Sequence, residues 1–169
     1  MAQIARHMET IIKQGAENKK MKEYISKTVK INRMPEEIFN FLSDMSLFSQ
    51  AIPKDKIEDW QATRDECSFT AKGIAMGVKI IDRDPYKTIK FTGNGGVPAE
   101  FFLWVQLKEV APYDTRMRIV LHIKLNMIMK MILKGKLQNG LDQMAEQIAN
   151  AFNGVASTPP PNPEWEIPN

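Results

Sequence analysis

The residues that most often do chemistry in proteins are scarce in this sequence. The 169-residue chain has one cysteine, Cys67, and two histidines, His7 and His122. A single cysteine excludes an internal disulfide and a multi-thiolate metal site, and no His/Cys ligand spacing occurs, so we expect no metal. The alternation of side chains places Cys67 on an inner face. Since no histidine shares that face to activate the thiol, we interpret Cys67 as a small buried hydrophobe rather than a nucleophile. His122 falls on the outer, solvated face.

Paired acids and glycine motifs give no stronger support for catalysis. Asp82 and Asp84 flank a turn, which is typical of turn formation rather than of two catalytic carboxylates. Gly135 and Gly140 have the outer spacing of a P-loop but lack its Lys-Ser/Thr pair. GNGGVP (93–98) lacks the dinucleotide fingerprint, and no G-x-S-x-G is present. We therefore expect no cofactor, and the residues favour a protein that is not an enzyme.

The elements that must position these residues follow from the spacing of apolar side chains. Residues 24–33 alternate like a strand, Pro35 begins a short apolar-sided helix, and a second short helix covers 47–52. Beyond Pro53 the period is two, and short turns favour an antiparallel sheet. The strands are predicted at 56–63, 66–73, 75–83, 86–93, 98–110 and 114–126. One long helix is predicted over 127–153, with Gly135 and Gly140 as weak points.

Composition divides the chain into three parts. Residues 1–20 are an N-terminal extension in which apolar residues recur at helical spacing, so a short amphipathic helix is one interpretation. Residues 21–154 form the domain. Residues 155–169 hold five of the ten prolines and predict a flexible tail, although Pro160 and Pro163 give the P-x-x-P spacing that docks on aromatic grooves.

Charge and hydropathy narrow the class of protein. Hydrophobic residues make up 43% of the chain, and the formal net charge is +3 from 23 basic and 20 acidic side chains. The basic residues are spread out rather than clustered, which argues against nucleic acid as a partner. The longest apolar run, FFLWV (101–105), is too short to span a bilayer, so we expect no integral membrane association. No signal peptide opens the chain, which favours a cytoplasmic address.

The order of these elements and the sequences of two segments resemble those of a known superfamily. MPEEIFNFLSDMSLFSQAIP (34–53) and LQNGLDQMAEQIANAF (137–152) resemble the START-like or SRPBCC superfamily of polyketide cyclase and lipid-transport proteins. The resemblance implies an α+β helix-grip fold. In that fold a seven-stranded antiparallel sheet curves around a long C-terminal helix, two short helices follow strand 1, and an apolar cavity lies between sheet and helix. Members bind lipids, sterols, quinones, polyketides or plant hormones.

The resemblance implies that this protein binds or carries a hydrophobic small molecule such as a lipid, a quinone or a polyketide-like compound. A polyketide cyclase or dehydratase-like enzyme is an alternative, although the inner strand positions are nearly all apolar. Strand parity and helical spacing select the side chains expected to line the cavity. They are Phe48, Phe69, Val78, Ile80, Phe91, Leu103, Val105, Ile119, Leu121, Ile123, Met131, Leu137 and Met144.

A third hypothesis concerns the outer face of the sheet. Phe102, Trp104 and Val120 fall on the outward parity, where polar side chains are expected. Together they would form an apolar patch, which is typical of a protein contact and here could serve a homodimer. Cover by the N-terminal segment or by Trp165 of the tail is the alternative.

Overall fold

The computed structural model describes residues 21–50, 55–97 and 99–154. The amphipathic helix suggested within residues 1–20 and the tail at 155–169 lie outside this part of the chain. The elements are β1 (Lys22–Ile25), β2 (Val29–Ile31), α1 (Pro35–Leu42), a 3-10 helix (Met45–Gln50), β3 (Ile57–Ala62), β4 (Glu66–Ala71), β5 (Ile74–Asp84), β6 (Thr88–Gly93), β7 (Phe101–Ala111), β8 (Asp114–Ile123), α2 (Met127–Ile132) and α3 (Lys136–Asn153).

The strands form one curved antiparallel sheet. Its order is β1-β8-β7-β6-β5-β4-β3, and β2 also pairs with β8, beyond the end of β1. From β3 to β8, strands that follow one another in sequence are neighbours in the sheet, as the short predicted turns require. With the C-terminal helix packed against it, the sheet confirms the predicted α+β helix-grip class.

The strand predicted at 24–33 is divided into β1 and β2 by a polar interruption. The amide of Ile119 donates to the Ser26 hydroxyl at 2.8 Å, in place of a backbone carbonyl. The next amide, that of Lys27, donates to Asp142 Oδ1 on α3 at 2.7 Å. Because this amide bonds the helix, the chain leaves the sheet here. The seven expected positions across the sheet are therefore filled by eight strands.

A bulge in β5 changes which side chains face the core. Pairing with β6 shifts between Ile80 and Asp82, which leaves Ile81 43% exposed. Past the shift, Arg83 stands opposite the fully buried Ile89. Simple alternation from Ile80 would have put Asp82 on the inner face. The extra residue puts Arg83 there instead.

Helix α1 closes one end of the concave face. Pro35 occupies its first turn, and Glu36 and Glu37 place negative charge near the positive end of its dipole. The residues that it buries are Pro35, Ile38, Phe39 and Leu42, and the last three belong to its predicted apolar side. The 3-10 helix that follows begins at Met45, earlier than the predicted 47–52, because the Asp44 carboxylate accepts from the Ser46 amide at 3.0 Å.

The single helix predicted over 127–153 is two helices. Residue Gly135 precedes α3 with φ 76°, in the left-handed region that favours glycine, and the chain turns there. Of the two predicted weak points only Gly135 breaks the helix, since Gly140 lies inside α3. α3 ends at Asn153 and is followed by Gly154, also left-handed, which confirms the predicted C-terminal stop.

Polar side chains fix α3 along the edge strands. Gln138 Nε2 donates to the Ile25 carbonyl at 2.9 Å, near the start of the helix. At the other end, Asn153 accepts from the Asn32 amide at 2.7 Å and donates to the Lys30 carbonyl at 3.0 Å. The apolar stripe Leu141, Ala145 and Ala149 is buried between these contacts. The helix therefore packs on β1, β2 and β8, on one side of the concave face.

Candidate apolar ligand site

The concave face has a fully buried end and an open end. At the end covered by α1, Ile31, Ile89, Met117 and Ile119 are all 0% exposed. The opposite end holds the start of β7 and the end of β8, where Phe101 stands opposite Ile123. Residues 99–100, before β7, and α2, after β8, lie next to these strand ends in the chain. Apolar side chains at this second end are not fully covered.

These partly covered side chains form what we call the apolar cleft: Phe69, Val78, Phe101, Leu103 and Leu137. Each is half-buried and packs against the core. Their cross-strand partners show that they face inward, because Val78 stands opposite the buried Cys67 and Leu103 opposite the buried Leu121. The cleft is thus a continuation of the core surface that the helices leave partly open.

Aromatic rings frame two sides of the apolar cleft. The indole of Trp60 stacks on Phe69, with ring centroids 6.0 Å apart. On β6, a Cβ at Gly93 would lie 3.1 Å from Val97 Cγ2 and 3.4 Å from Phe101 Cε1. The missing side chain therefore lets Val97 and Phe101 fold over the end of β6. A larger residue there would push both side chains away.

The position of α3 explains why the cleft is open. This helix packs on β1, β2 and β8, whereas Phe69 and Val78 lie on β4 and β5 at the other side of the sheet. Leu137, in the first turn of α3, is half-buried and packs against the core. The inner surface of β4 and β5 is consequently covered less well than that of β8.

Eleven of the thirteen predicted lining residues pack in or against the core, and two do not. Met131 and Met144 are 75% and 44% exposed, so they do not face the interior that the spacing predicts. The break at Gly135 gives α2 its own orientation, and Met144 lies at the margin of the α3 stripe. Contact of the other residues with a ligand stays a prediction. The core-facing residues are Phe48, Phe69, Val78, Ile80, Phe91, Leu103, Val105, Ile119, Leu121, Ile123 and Leu137.

The polar groups near the core have structural partners rather than catalytic geometry. Burial raises the pKa of the Cys67 thiol, an effect that outweighs its hydrogen bond with the Val78 backbone. The thiol is therefore protonated at neutral pH, as the prediction of a small buried hydrophobe implies. Asp82 and Asp84 are exposed.

Arg83 is a core-facing residue that sequence reasoning missed. Its guanidinium donates to the Ser43 carbonyl from Nε at 3.1 Å and from Nη2 at 2.8 Å, at the end of α1. It also pairs with Asp65 at 2.7 Å. Arg83 thereby joins α1 to the β3–β4 turn. No sequence signal marks the bulge that turns this side chain inward.

The outer-face aromatic residues form a ladder that is partly covered by a lysine. Phe102 and Trp104 are half-buried, and Lys90 Nζ lies 4.7 Å and 5.0 Å from their ring centroids. His122 is on this outer face, as predicted, with Nε2 at 2.7 Å from Glu23 Oε2 and its ring 4.7 Å from that of Trp104. A role of Phe102 and Trp104 in a homodimer stays a prediction.

The described part of the chain has two depressions, of which the larger lies away from the apolar cleft. The larger, of about 760 Å³, is at the α1 end of the sheet and is lined by Thr28, Pro35, Pro85, Tyr86, Lys87, Thr88, Gln106, Leu107, Lys108, Glu109, Arg116, Met117 and Arg118. Both arginines in this lining form hydrogen bonds with neighbouring side chains. Arg118 Nε donates to Gln106 at 2.6 Å, and Arg116 bonds Asp114, whose pKa it lowers. The smaller, of about 250 Å³, adjoins Cys67 and Asn94.

Two further observations apply to residues 21–50, 55–97 and 99–154. No helix in these ranges has both the length and the apolar content that crossing a bilayer requires. No three or more His, Cys, Asp and Glu side chains come together there in a group that could hold a metal ion.

Comparison with known proteins identifies the fold through structure alone. No protein-family model matches the chain, and no curated protein matches it in sequence. The Aha1 dimer from Colwellia psychrerythraea is 16% identical with a TM-score of 0.61, over 79% of this chain and 97% of that one. Norcoclaurine synthase from Thalictrum flavum is 12% identical with a TM-score of 0.63, over 78% and 94%. A START superfamily protein from Mycobacterium smegmatis is 16% identical with a TM-score of 0.52, over 76% and 98%. The chain has a START-like fold.

Proposed function

We propose that the protein binds or carries a hydrophobic small molecule in the apolar cleft, between the sheet and the start of α3. The observation that carries this proposal is the half-burial of five apolar side chains on the core-facing surface. Water contact there is unfavourable, and an apolar ligand would relieve it. At the opposite end of the same surface, Ile31, Ile89, Met117 and Ile119 are 0% exposed.

The chemistry of the cleft favours binding over catalysis. All five side chains that define it are apolar, and Trp60 adds an aromatic surface through its stack on Phe69. A ligand that buries ~300 Å² of apolar area would gain about 7 kcal/mol before entropy losses, at roughly 25 cal/mol per Å². Polar contacts would therefore be needed for selectivity more than for affinity. The norcoclaurine synthase structure is that of a point mutant in complex with a transition-state analogue, which further supports the idea that such a fold holds a small molecule.

The test is capture of a ligand by the intact chain. The purified protein is incubated with a total lipid extract and reisolated, and native mass spectrometry and thermal unfolding are measured. We expect added mass from small apolar molecules and a higher unfolding temperature. Leu103→Gln, which puts an amide in the cleft, should abolish both effects. Ile81→Gln is the matched control, because Ile81 is a 43% exposed aliphatic residue of the neighbouring sheet region.

Two results would contradict the proposal. One is the absence of any bound species together with an unchanged unfolding temperature across lipid, quinone and polyketide-like compounds. The other is binding that Leu103→Gln and Ile81→Gln reduce equally, because the ligand would then lie outside the cleft. Catalysis on a bound compound would instead support the enzyme alternative, and product analysis in the same incubation detects it.

A further inference from the structure

Most of the side chains of helix α2 are apolar and exposed to solvent. Its sequence is MIMKMI, and four of its six residues are large, apolar and exposed. The exposed fractions are 79% for Met127, 69% for Ile128, 75% for Met131 and 61% for Ile132. At 100° per residue these four side chains lie within one continuous face. Contiguous exposed apolar patches of this kind mark interaction sites.

The orientation of this face is fixed by contacts on the other side of the helix. Met129 and the following Leu133 are half-buried and pack against the core. At the N-terminus, the Asn126 side chain accepts from the Met129 amide at 2.8 Å and caps the helix. Rotating α2 to hide the outer residues would expose Met129 and Leu133 instead.

The charges on α2 and on the residues that flank it in the chain are of one sign. Residues 124–136 contain four lysines and no acidic residue. Lys124, Lys130, Lys134 and Lys136 are all exposed. The acidic residue brought nearest by backbone pairing is Glu100, whose carbonyl accepts from the Lys124 amide at 2.9 Å. An apolar face surrounded by lysines matches a surface that has negative charge outside and hydrocarbon beneath.

We propose that α2 docks the protein on the surface of an anionic lipid bilayer. Met127, Ile128, Met131 and Ile132 enter the headgroup region, and the four lysines contact lipid phosphates and carboxylates. The helix is about 9 Å long at 1.5 Å per residue, so it lies in the interface and does not cross it. This surface role goes beyond the proposed ligand binding and does not depend on it.

A second copy of the chain fits this face less well than a bilayer. Two copies of α2 brought face to face would place eight lysines together without acidic partners, which is unfavourable. A stable protein interface also buries about 800 Å² on each partner, whereas a six-residue helix offers only a small part of that area. Lysine charge and small size therefore both favour the lipid surface.

The experiment measures binding of the full chain to vesicles by co-sedimentation. Vesicles of phosphatidylcholine with about 30 mol % phosphatidylserine are compared with pure phosphatidylcholine. Ile128→Gln with Met131→Gln removes the apolar contact, and Lys130→Gln with Lys134→Gln removes charge. Val110→Gln with Lys108→Gln is the matched control, since both residues are exposed at the opposite end of the sheet. Circular dichroism melting verifies that each variant folds.

We expect binding to the anionic vesicles, weak binding to pure phosphatidylcholine, and release at high salt. Each lysine removed should weaken binding roughly fivefold, so the double lysine variant should lose roughly 25-fold. The apolar variant should lose binding and the control should keep it. Absence of vesicle binding, or equal binding by all folded variants, would overturn the proposal. So would a wild-type dimer that the apolar variant dissociates without any vesicle binding. No ligand enters this assay, so its result is separate from that of the cleft proposal.

Discussion

Truncating two aliphatic residues of the same inner face should have very different effects on stability. Leu103 and Ile119 are both core-facing, but Leu103 is half-buried in the apolar cleft and Ile119 is 0% exposed. Each change to alanine removes three carbons. The comparison therefore isolates how well the surroundings cover the side chain.

The magnitudes follow from this coverage. Ile119→Ala removes three buried carbons and leaves a cavity, so it should lower the free energy of unfolding by about 3–4 kcal/mol. Leu103→Ala removes carbons that are partly solvated already, and water or ligand can occupy the space. Its cost should be about 1 kcal/mol, because the transfer energy is reduced and the cavity energy is small.

Urea unfolding followed by tryptophan fluorescence and circular dichroism measures both values. In the presence of a bound apolar ligand, the difference between the variants should narrow, since Leu103→Ala then also loses ligand contact. The reasoning would be refuted if Leu103→Ala costs as much as Ile119→Ala in the ligand-free protein. The cleft would then be closed core, and the proposed ligand site would lose its physical basis.

Five other expectations address single features of the fold. Gly135→Ala should lower the free energy of unfolding by about 1 kcal/mol because φ is 76° there. Gly140 lies inside α3 with open space around a new Cβ, so Gly140→Ala should raise the free energy of unfolding by about 0.5–1 kcal/mol. Arg83→Ala should lower it by about 2 kcal/mol through the lost hydrogen bonds to α1, and urea unfolding tests all three. Because the folded pKa of Cys67 is raised, its contribution to stability should be complete below the ordinary value of 9.0 and fall as pH rises above it. The buried thiol of the folded protein should also react with iodoacetamide more slowly than that of the unfolded protein. If the outer face forms a dimer, Trp104→Gln should dissociate it in sedimentation velocity, and a wild-type monomer at every concentration would contradict that hypothesis.

Strand alternation predicted most of the sheet because one face of each strand is buried. The partners Leu103–Leu121 and Val105–Ile119 share a face, as their spacing in the sequence requires. A register error by one residue would turn a whole strand face into solvent, so the pattern is strongly constrained. This is why the fold class and the inner face follow from the sequence.

The structure differs from the prediction where one residue interrupts the regular alternation of side chains along a strand. The bulge after Ile80 turns Arg83 inward, and the bond from Lys27 to Asp142 divides the first strand. Both depend on contacts between parts of the chain that are distant in sequence. The local pattern of side chains contains no information on such contacts. For the same reason, the sequence predicts that the inner face is apolar, but not which part of that face the helices leave uncovered.

The break at Gly135 accounts for the exposure of Met131 and bears on both proposed surfaces. A continuous helix would have given Met131 the same face as Ala145 and Ala149, which are buried. With the break, α2 turns its apolar side outward, while Leu137 stays against the core. α2 follows β8, whose last residue stands opposite Phe101 of the cleft. If both proposals hold, the open end of the cleft faces the bilayer, and an apolar ligand would enter it without crossing water. Vesicle-bound protein should then take up a bilayer-dissolved ligand faster than protein that is kept off the vesicles by Lys130→Gln with Lys134→Gln.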